Sequence, residues 1–120
     1  MKETKYYTKA IAWASKKGFS SIKAKIEDFE TPTSYASPNK ELEYTPDITG
    51  KKRTKKSYFE IVEKTENVSS KVSKWKLLST LAAMKGGDLI LFAPRGNKAF
   101  TERLIKKHNL NAKLVYLPSI

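Results

Sequence analysis

This sequence predicts an α/β fold, a mixed sheet flanked by helices, in one domain spanning residues 1–120. Three observations carry that expectation. Apolar residues repeat at three- and four-residue spacing in two stretches, residues 4–17 and about 70–85, each followed by glycine. Residues 19–27 alternate apolar and polar, as a half-exposed strand does. Residues 88–93 do not alternate at all, which marks a strand buried on both faces, as in a parallel sheet.

The elements follow in order. Tyr7, Ala10, Ile11 and Ala14 give the first helix one apolar face, and Gly18 ends it. The alternating segment from Phe19 to Glu27 is the first strand. Pro32, Ser34, Ser37, Pro38 and Asn39 make residues 31–42 a loop, the one segment expected to be mobile. A short extended piece, residues 43–49, leads into a turn over Gly50–Lys56, and Ser57 to Lys64 returns as the third strand. Val72, Trp75, Leu78 and Ala82 then mark the apolar face of a second long helix, widened by Leu77 and Leu81 and closed by Gly86-Gly87. After the buried strand, Pro94-Arg95-Gly96 turns the chain into a helix from about Asn97 to Lys107, with Phe100 and Leu104 inward. Residues 112–117 form a last apolar strand. The order is α-β-β-β-α-β-α-β, an antiparallel hairpin feeding two crossover units.

Composition narrows the chemistry. Of 120 residues, 24 are Lys or Arg and 12 are Asp or Glu, a net charge of +12, with pI about 9.8. Such an excess repels itself and favours polyanionic partners, nucleic acid above all. Only Arg53, Arg95 and Arg103 carry the forked geometry preferred for reading bases, which argues against sequence-specific major-groove readout. With no cysteine, disulfides, zinc–thiolate sites and thiol nucleophiles are excluded. The single histidine, His108, falls in a basic helix C-terminus, where it reads as a partner of the helix dipole rather than a catalyst. The stretch from Met1 to Lys5 has no apolar leader character and no segment is long enough to span a membrane, so a cytoplasmic location without a membrane partner is expected.

One constellation could do chemistry. Glu60 sits in an apolar strand, Tyr58-Phe59-Glu60-Ile61-Val62, where an unpaired carboxylate costs free energy. Alternation puts Tyr58, Glu60, Val62 and Lys64 on one face and Phe59, Ile61 and Glu63 on the other. Asp47, on the neighbouring strand, can meet Glu60 on that face through the hairpin. Two carboxylates with water between them suit Mg²⁺, which keeps much of its hydration shell and can activate a phosphodiester. Plainer roles fit the same residues. Asp47 after Pro46 can cap a turn, and Glu60 can pair with Lys51, Lys55 or Lys64 across strands. Between the two carboxylates the turn concentrates Lys51, Lys52, Arg53, Lys55 and Lys56, a positive tip suited to phosphate contacts or simply to solvent.

Pro46-Asp47-Ile48 and Tyr58-Phe59-Glu60-Ile61-Val62, with this element order, resemble the PD-(D/E)xK nuclease superfamily, and the likeness covers nearly the whole chain. The resemblance implies a restriction-endonuclease-like αβββαβ core with an added C-terminal αβ unit. It also implies a Mg²⁺-dependent hydrolase acting on DNA rather than RNA. Asp47 and Glu60 would be the metal ligands, and Glu3 is the candidate for the acidic residue many members carry in the first helix. The motif lysine is absent, because position 62 is valine. Lys64 is the favoured substitute, with Lys71 and Lys74 in the following helix as the others. A member with no lysine in reach would be a DNA-binding or scaffold module that does not cut. A chain of this size also lacks an obvious recognition domain, which points to structure-selective action, or action as a homodimer or within a larger complex.

Overall fold

The computed structural model describes residues 2–37, 39–64 and 67–120; Met1, and Pro38 of the expected loop, lie outside them. Helix α1 (Thr4–Lys16) leads to β1 (Ser20–Ala24), then a small ribbon of β2 (Tyr35–Ala36) and β3 (Glu43–Tyr44). The hairpin β4 (Ile48–Lys52) and β5 (Lys55–Ile61) follows, then α2 (Val68–Met84), β6 (Gly86–Ala93), α3 (Lys98–Lys107) and β7 (Lys113–Tyr116). The main sheet has the order β1-β4-β5-β6-β7. β1, β4 and β5 pair antiparallel, while β5, β6 and β7 pair parallel. This is an α/β arrangement, a mixed five-stranded sheet flanked by three helices.

Alternation along β5 and β6 sends side chains into two cores. On one face Phe59, Ile61, Ile90 and Phe92 pack under α1, whose Ala10 and Ala14 are fully buried and let the helix approach closely. Phe59 stacks on Phe92 at 5.9 Å, with Phe19 and Trp13 edge-on to them at 5.1 and 5.4 Å. On the other face Tyr58, Val62, Leu89 and Leu91 pack under Trp75 and Leu78 of α2 and Leu104 of α3. The helical stripe Val72, Trp75, Leu78, Ala82 is buried as its spacing predicts.

Three local expectations change. The turn over Gly50–Lys56 shrinks to Arg53 and Thr54, because Lys51 and Lys52 pair with Lys56 and Lys55 as strand residues. Arg53 takes the left-handed conformation, φ 61°, that a two-residue hairpin demands. The expected loop at residues 31–42 contains β2, held where the Tyr35 ring meets Tyr58 edge-on at 5.8 Å and the two hydroxyls lie 3.2 Å apart. Finally, Gly86-Gly87 does close α2 but also opens β6. A Cβ on Gly87 would lie 2.0 Å from the Lys56 carbonyl oxygen, so only glycine lets the two parallel strands meet there.

Candidate functional site

Asp47 lies just before β4 and Glu60 lies near the end of β5, and the register that pairs Ile48 with Phe59 continues to set Asp47 across from Glu60. Side chains there take over from the backbone ladder. The Asp47 amide donates to Glu60 Oε2 at 2.8 Å, and the Ile61 amide donates to Asp47 Oδ2 at 2.9 Å. Both residues are buried, 1% and 2% exposed. An aspartate's amide lies within about 5 Å of its own carboxylate oxygens, so the two carboxylates are less than about 8 Å apart. Asp47 thus ties the open end of the hairpin through the Ile61 amide, fourteen positions on, rather than capping a local turn, and also meets Glu60.

Lysines from three separate segments converge on the pair. The Lys2 ammonium, ahead of α1, hydrogen-bonds Asp47 Oδ2. Lys25 Nζ, just past β1, is 3.2 Å from Asp47 Oδ1, and the Tyr7 hydroxyl of α1 donates to the same oxygen at 3.3 Å. Lys74 Nζ, two turns into α2, is 2.9 Å from Glu60 Oε1. Glu60 therefore pairs with Lys74, not with Lys51, Lys55 or Lys64 across the strands. Its face is covered by α2, and the helix brings that ammonium directly over it.

The pair floors a cleft of about 690 Å³. Its rim carries Lys2, Lys25, Lys64, Lys71 and Lys74, five lysines against the carboxylates of Asp47, Glu60 and Glu63. The cleft opens at the carboxyl end of β5 beside the first turns of α2, where Asn67 caps the helix by accepting from the Ser70 amide. Crevices at strand carboxyl ends and helix N-termini are where α/β proteins receive anionic ligands.

The electrostatics divide the two carboxylates. Burial raises Asp47, but Lys2, Lys74 and Lys25 outweigh it and hold the carboxyl below its ordinary value, so Asp47 is charged. Burial, then the Asp47 charge, raise Glu60, and Lys2 and Lys74 only partly offset them. Glu60 is therefore the member that takes up a proton more readily. Burial alone would lower Lys2, yet the charges of Glu60 and Asp47 raise it. Burial raises the Tyr7 phenol, and Asp47 adds to that, so it stays a hydrogen-bond donor. Lys71 is lowered by burial first and by the nearby Lys2 charge, which makes its ammonium a readier proton donor than an ordinary lysine.

Mg²⁺ commonly takes one or two carboxylates and keeps its remaining ligands as water. A carboxylate offers about four acceptor sites. Asp47 fills its sites with Lys2, Lys25, Tyr7 and the Ile61 amide, whereas Glu60 accepts from Lys74 and the Asp47 amide and has capacity left. As folded, the Lys2, Lys25 and Lys74 ammonium groups occupy the places a divalent ion would take, so Asp47 and Glu60 could hold a hydrated Mg²⁺ only with at least one of them withdrawn. Lys2 is the easiest to move, since it sits on the short arm before α1. Among the described residues no group of three or more acidic or histidine side chains gathers into a metal cluster.

The other candidate residues lie elsewhere. Glu3 is 60% exposed, pairs with Lys5 at 3.5 Å, and lines a separate hollow with Tyr6, Asn97 and Lys64 rather than the Asp47–Glu60 cleft. Lys64 stands at the cleft rim beyond the last residue of β5, with its amide donating to Asn97 Oδ1 at 3.0 Å. Strand alternation does not carry it over Glu60, because the strand ends at Ile61. The hairpin lysines split between the two sheet faces, with Lys51 and Lys56 on one and Lys52 and Lys55 on the other. Arg53 occupies the turn. His108 caps the C-terminus of α3, as its basic context predicts. Lys2, Tyr7 and Lys25 had no local signal. Their sequence neighbourhoods are ordinary, and only folding brings them to Asp47.

No helix among the described residues is long and apolar enough to cross a membrane. Comparison with protein-family models, curated proteins and solved structures finds no match to the chain.

Proposed function

We propose that this chain is a nucleic-acid-binding, nuclease-like protein of the restriction-endonuclease-like fold, acting on DNA in preference to RNA. The observation that carries the reading is the buried Asp47–Glu60 pair at the floor of a lysine-rimmed cleft. Asp47 and Glu60 would hold Mg²⁺, with Lys2 withdrawn. When bound, the ion supplies Lewis-acid stabilisation of charge on the phosphoryl group. Lys74 takes the place of the motif lysine missing at position 62, because its ammonium already lies 2.9 Å from Glu60. In that place it offsets charge developing on the phosphate. Lys25, Lys64 and Lys71 hold the backbone in the cleft by phosphate contacts, which orient a strand without reading it.

The test is cleavage of branched, single-stranded and duplex DNA with Mg²⁺ or Mn²⁺, comparing the wild-type chain with Asp47→Ala and Lys74→Ala. Metal-dependent product that both substitutions abolish is expected. No product, or equal product from Asp47→Ala, refutes the enzymatic reading. One observation favours a second reading, a binding module that does not cut: the acceptor sites of Asp47 are already filled by the chain's own donors. DNA binding without cleavage, unaffected by divalent ions, is the outcome that reading requires.

A further inference from the structure

The sheet face that carries Glu60 continues past the cleft into a second, basic hollow. Cross-strand partners share a face, so Lys23 with Thr49, Thr49 with Tyr58, and Lys51 with Lys56 all lie on the Glu60 side of the sheet. There a hollow of about 420 Å³ is bounded by Lys23, Lys51 and Lys56 and by one carboxylate, Glu30, with the buried Thr49 among its lining residues. The Tyr35 strap separates it from the cleft. Lys56 Nζ donates to the Tyr35 hydroxyl at 3.1 Å and lies 5.3 Å from the Tyr58 ring centre, which fixes its stem along the hollow's edge. Lys23 pairs with the exposed Glu30 at 3.4 Å. The Lys51 ammonium has no ion-pair or hydrogen-bond partner among the described residues.

Two like charges directly opposite on an antiparallel pair destabilise it. Lys51 and Lys56 form such a pair, and so do Lys52 and Lys55 on the other face. The second pair is disposed differently. Lys52 lies 4.7 Å from the Phe19 ring centre, and the Lys55 stem packs at the Gly86 backbone. The Lys51–Lys56 pair faces a hollow, on the same side as the candidate active carboxylates. Lys56 is four residues from Glu60 along β5, about 13 Å at strand rise.

We propose that the hollow at Lys23, Lys51 and Lys56 is a second phosphate-binding subsite, which grips the nucleic-acid backbone a few nucleotides from the Asp47–Glu60 cleft. The proposal rests on the nucleic-acid reading above and sharpens it. Of the hairpin lysines, only Lys51 and Lys56, which face the hollow, touch the nucleic acid. Lys52 and Lys55, on the α1 side, do not.

The experiment is fluorescence anisotropy of a short labelled DNA duplex, titrated with the full chain at several salt concentrations. Each phosphate contact removed lowers the slope of log affinity against log salt by about 0.9. Lys51→Ala is expected to lower it by about that amount, and Lys51→Ala with Lys56→Ala by about twice as much. The Lys52→Ala, Lys55→Ala chain should keep the wild-type slope. Because the Lys51 ammonium has no partner among the described residues, that single variant should fold as the wild type does, and a matched melting temperature checks it. Equal losses from the two double variants, or an unchanged slope in Lys51→Ala, overturn the subsite while leaving DNA binding in place. A wild-type chain with no salt-dependent DNA binding overturns the nucleic-acid reading itself, and the subsite with it.

Discussion

Replacing Lys74 by methionine tests whether the buried pair depends on the helix above it. Methionine keeps the stem length and removes the ammonium, so Glu60 loses its 2.9 Å partner inside the fold. Removing one member of a buried ion pair costs about 3–5 kcal/mol, because the other charge stays buried without compensation. Here the Glu60 side chain is 3% exposed, but Lys74 is 17% exposed and Lys2 still acts on Glu60 through space. A loss of about 2–3 kcal/mol follows from discounting the buried-pair figure for that residual screening. For a chain of this length the melting temperature should fall by roughly 10 °C. The loss must also depend on pH. Glu60 has a folded-state affinity for protons above its ordinary value near 4.5. A proton on Glu60 therefore favours the folded chain, and that contribution fades as pH rises through the folded-state value. Without Lys74 that value rises further. The gap between variant and wild type should be widest at neutral pH and should close as pH drops below about 4, where Glu60 is protonated in both states. Urea unfolding at a series of pH values measures it. A gap below about 0.5 kcal/mol, typical of a surface pair, or one that does not change with pH, refutes the claim that Lys74 compensates a buried carboxylate.

Other predictions probe the pair and its scaffold. Asp47→Asn removes the like charge that raises Glu60, so carboxyl carbon NMR should show Glu60 titrating at lower pH than in the wild type; an unchanged titration would mean the two carboxylates do not sense each other. Gly87→Ala places a methyl group 2.0 Å from the Lys56 carbonyl oxygen, between β5 and β6. A loss of more than about 3 kcal/mol is expected, beyond the ordinary range for a point substitution, and a variant with wild-type urea stability would contradict the close approach.

Much of the fold can be read from local pattern. The stripe Val72, Trp75, Leu78, Ala82 and the unbroken apolar run at 89–93 each state how many faces they bury, and the chain folds accordingly. The face shared by Tyr58, Glu60 and Val62 also follows from alternation. The β2–β3 ribbon was hidden because its stability comes from the Tyr35 ring on Tyr58, a contact between residues 23 positions apart. The length of the turn is not legible locally, because a run of charged residues suits a solvated loop as well as a paired hairpin end. Here Lys51, Lys52, Lys55 and Lys56 sit on paired strands, with the charges standing away from the sheet on either side.

By itself, the sequence determined that a carboxylate lies inside an apolar strand, that a second one lies one hairpin away, and that the surface is strongly positive. Those facts depend on residue type and strand period, which are local. Only the tertiary structure decided which ammonium groups meet the carboxylates. Lys64, in step with Glu60 along the chain, falls beyond the end of β5. Lys74 arrives from α2, while Lys2 and Lys25 come from segments 45 and 22 positions before Asp47. A buried charge is compensated by whichever long side chain the packing of helices on a sheet brings within reach, and packing is settled by the whole fold.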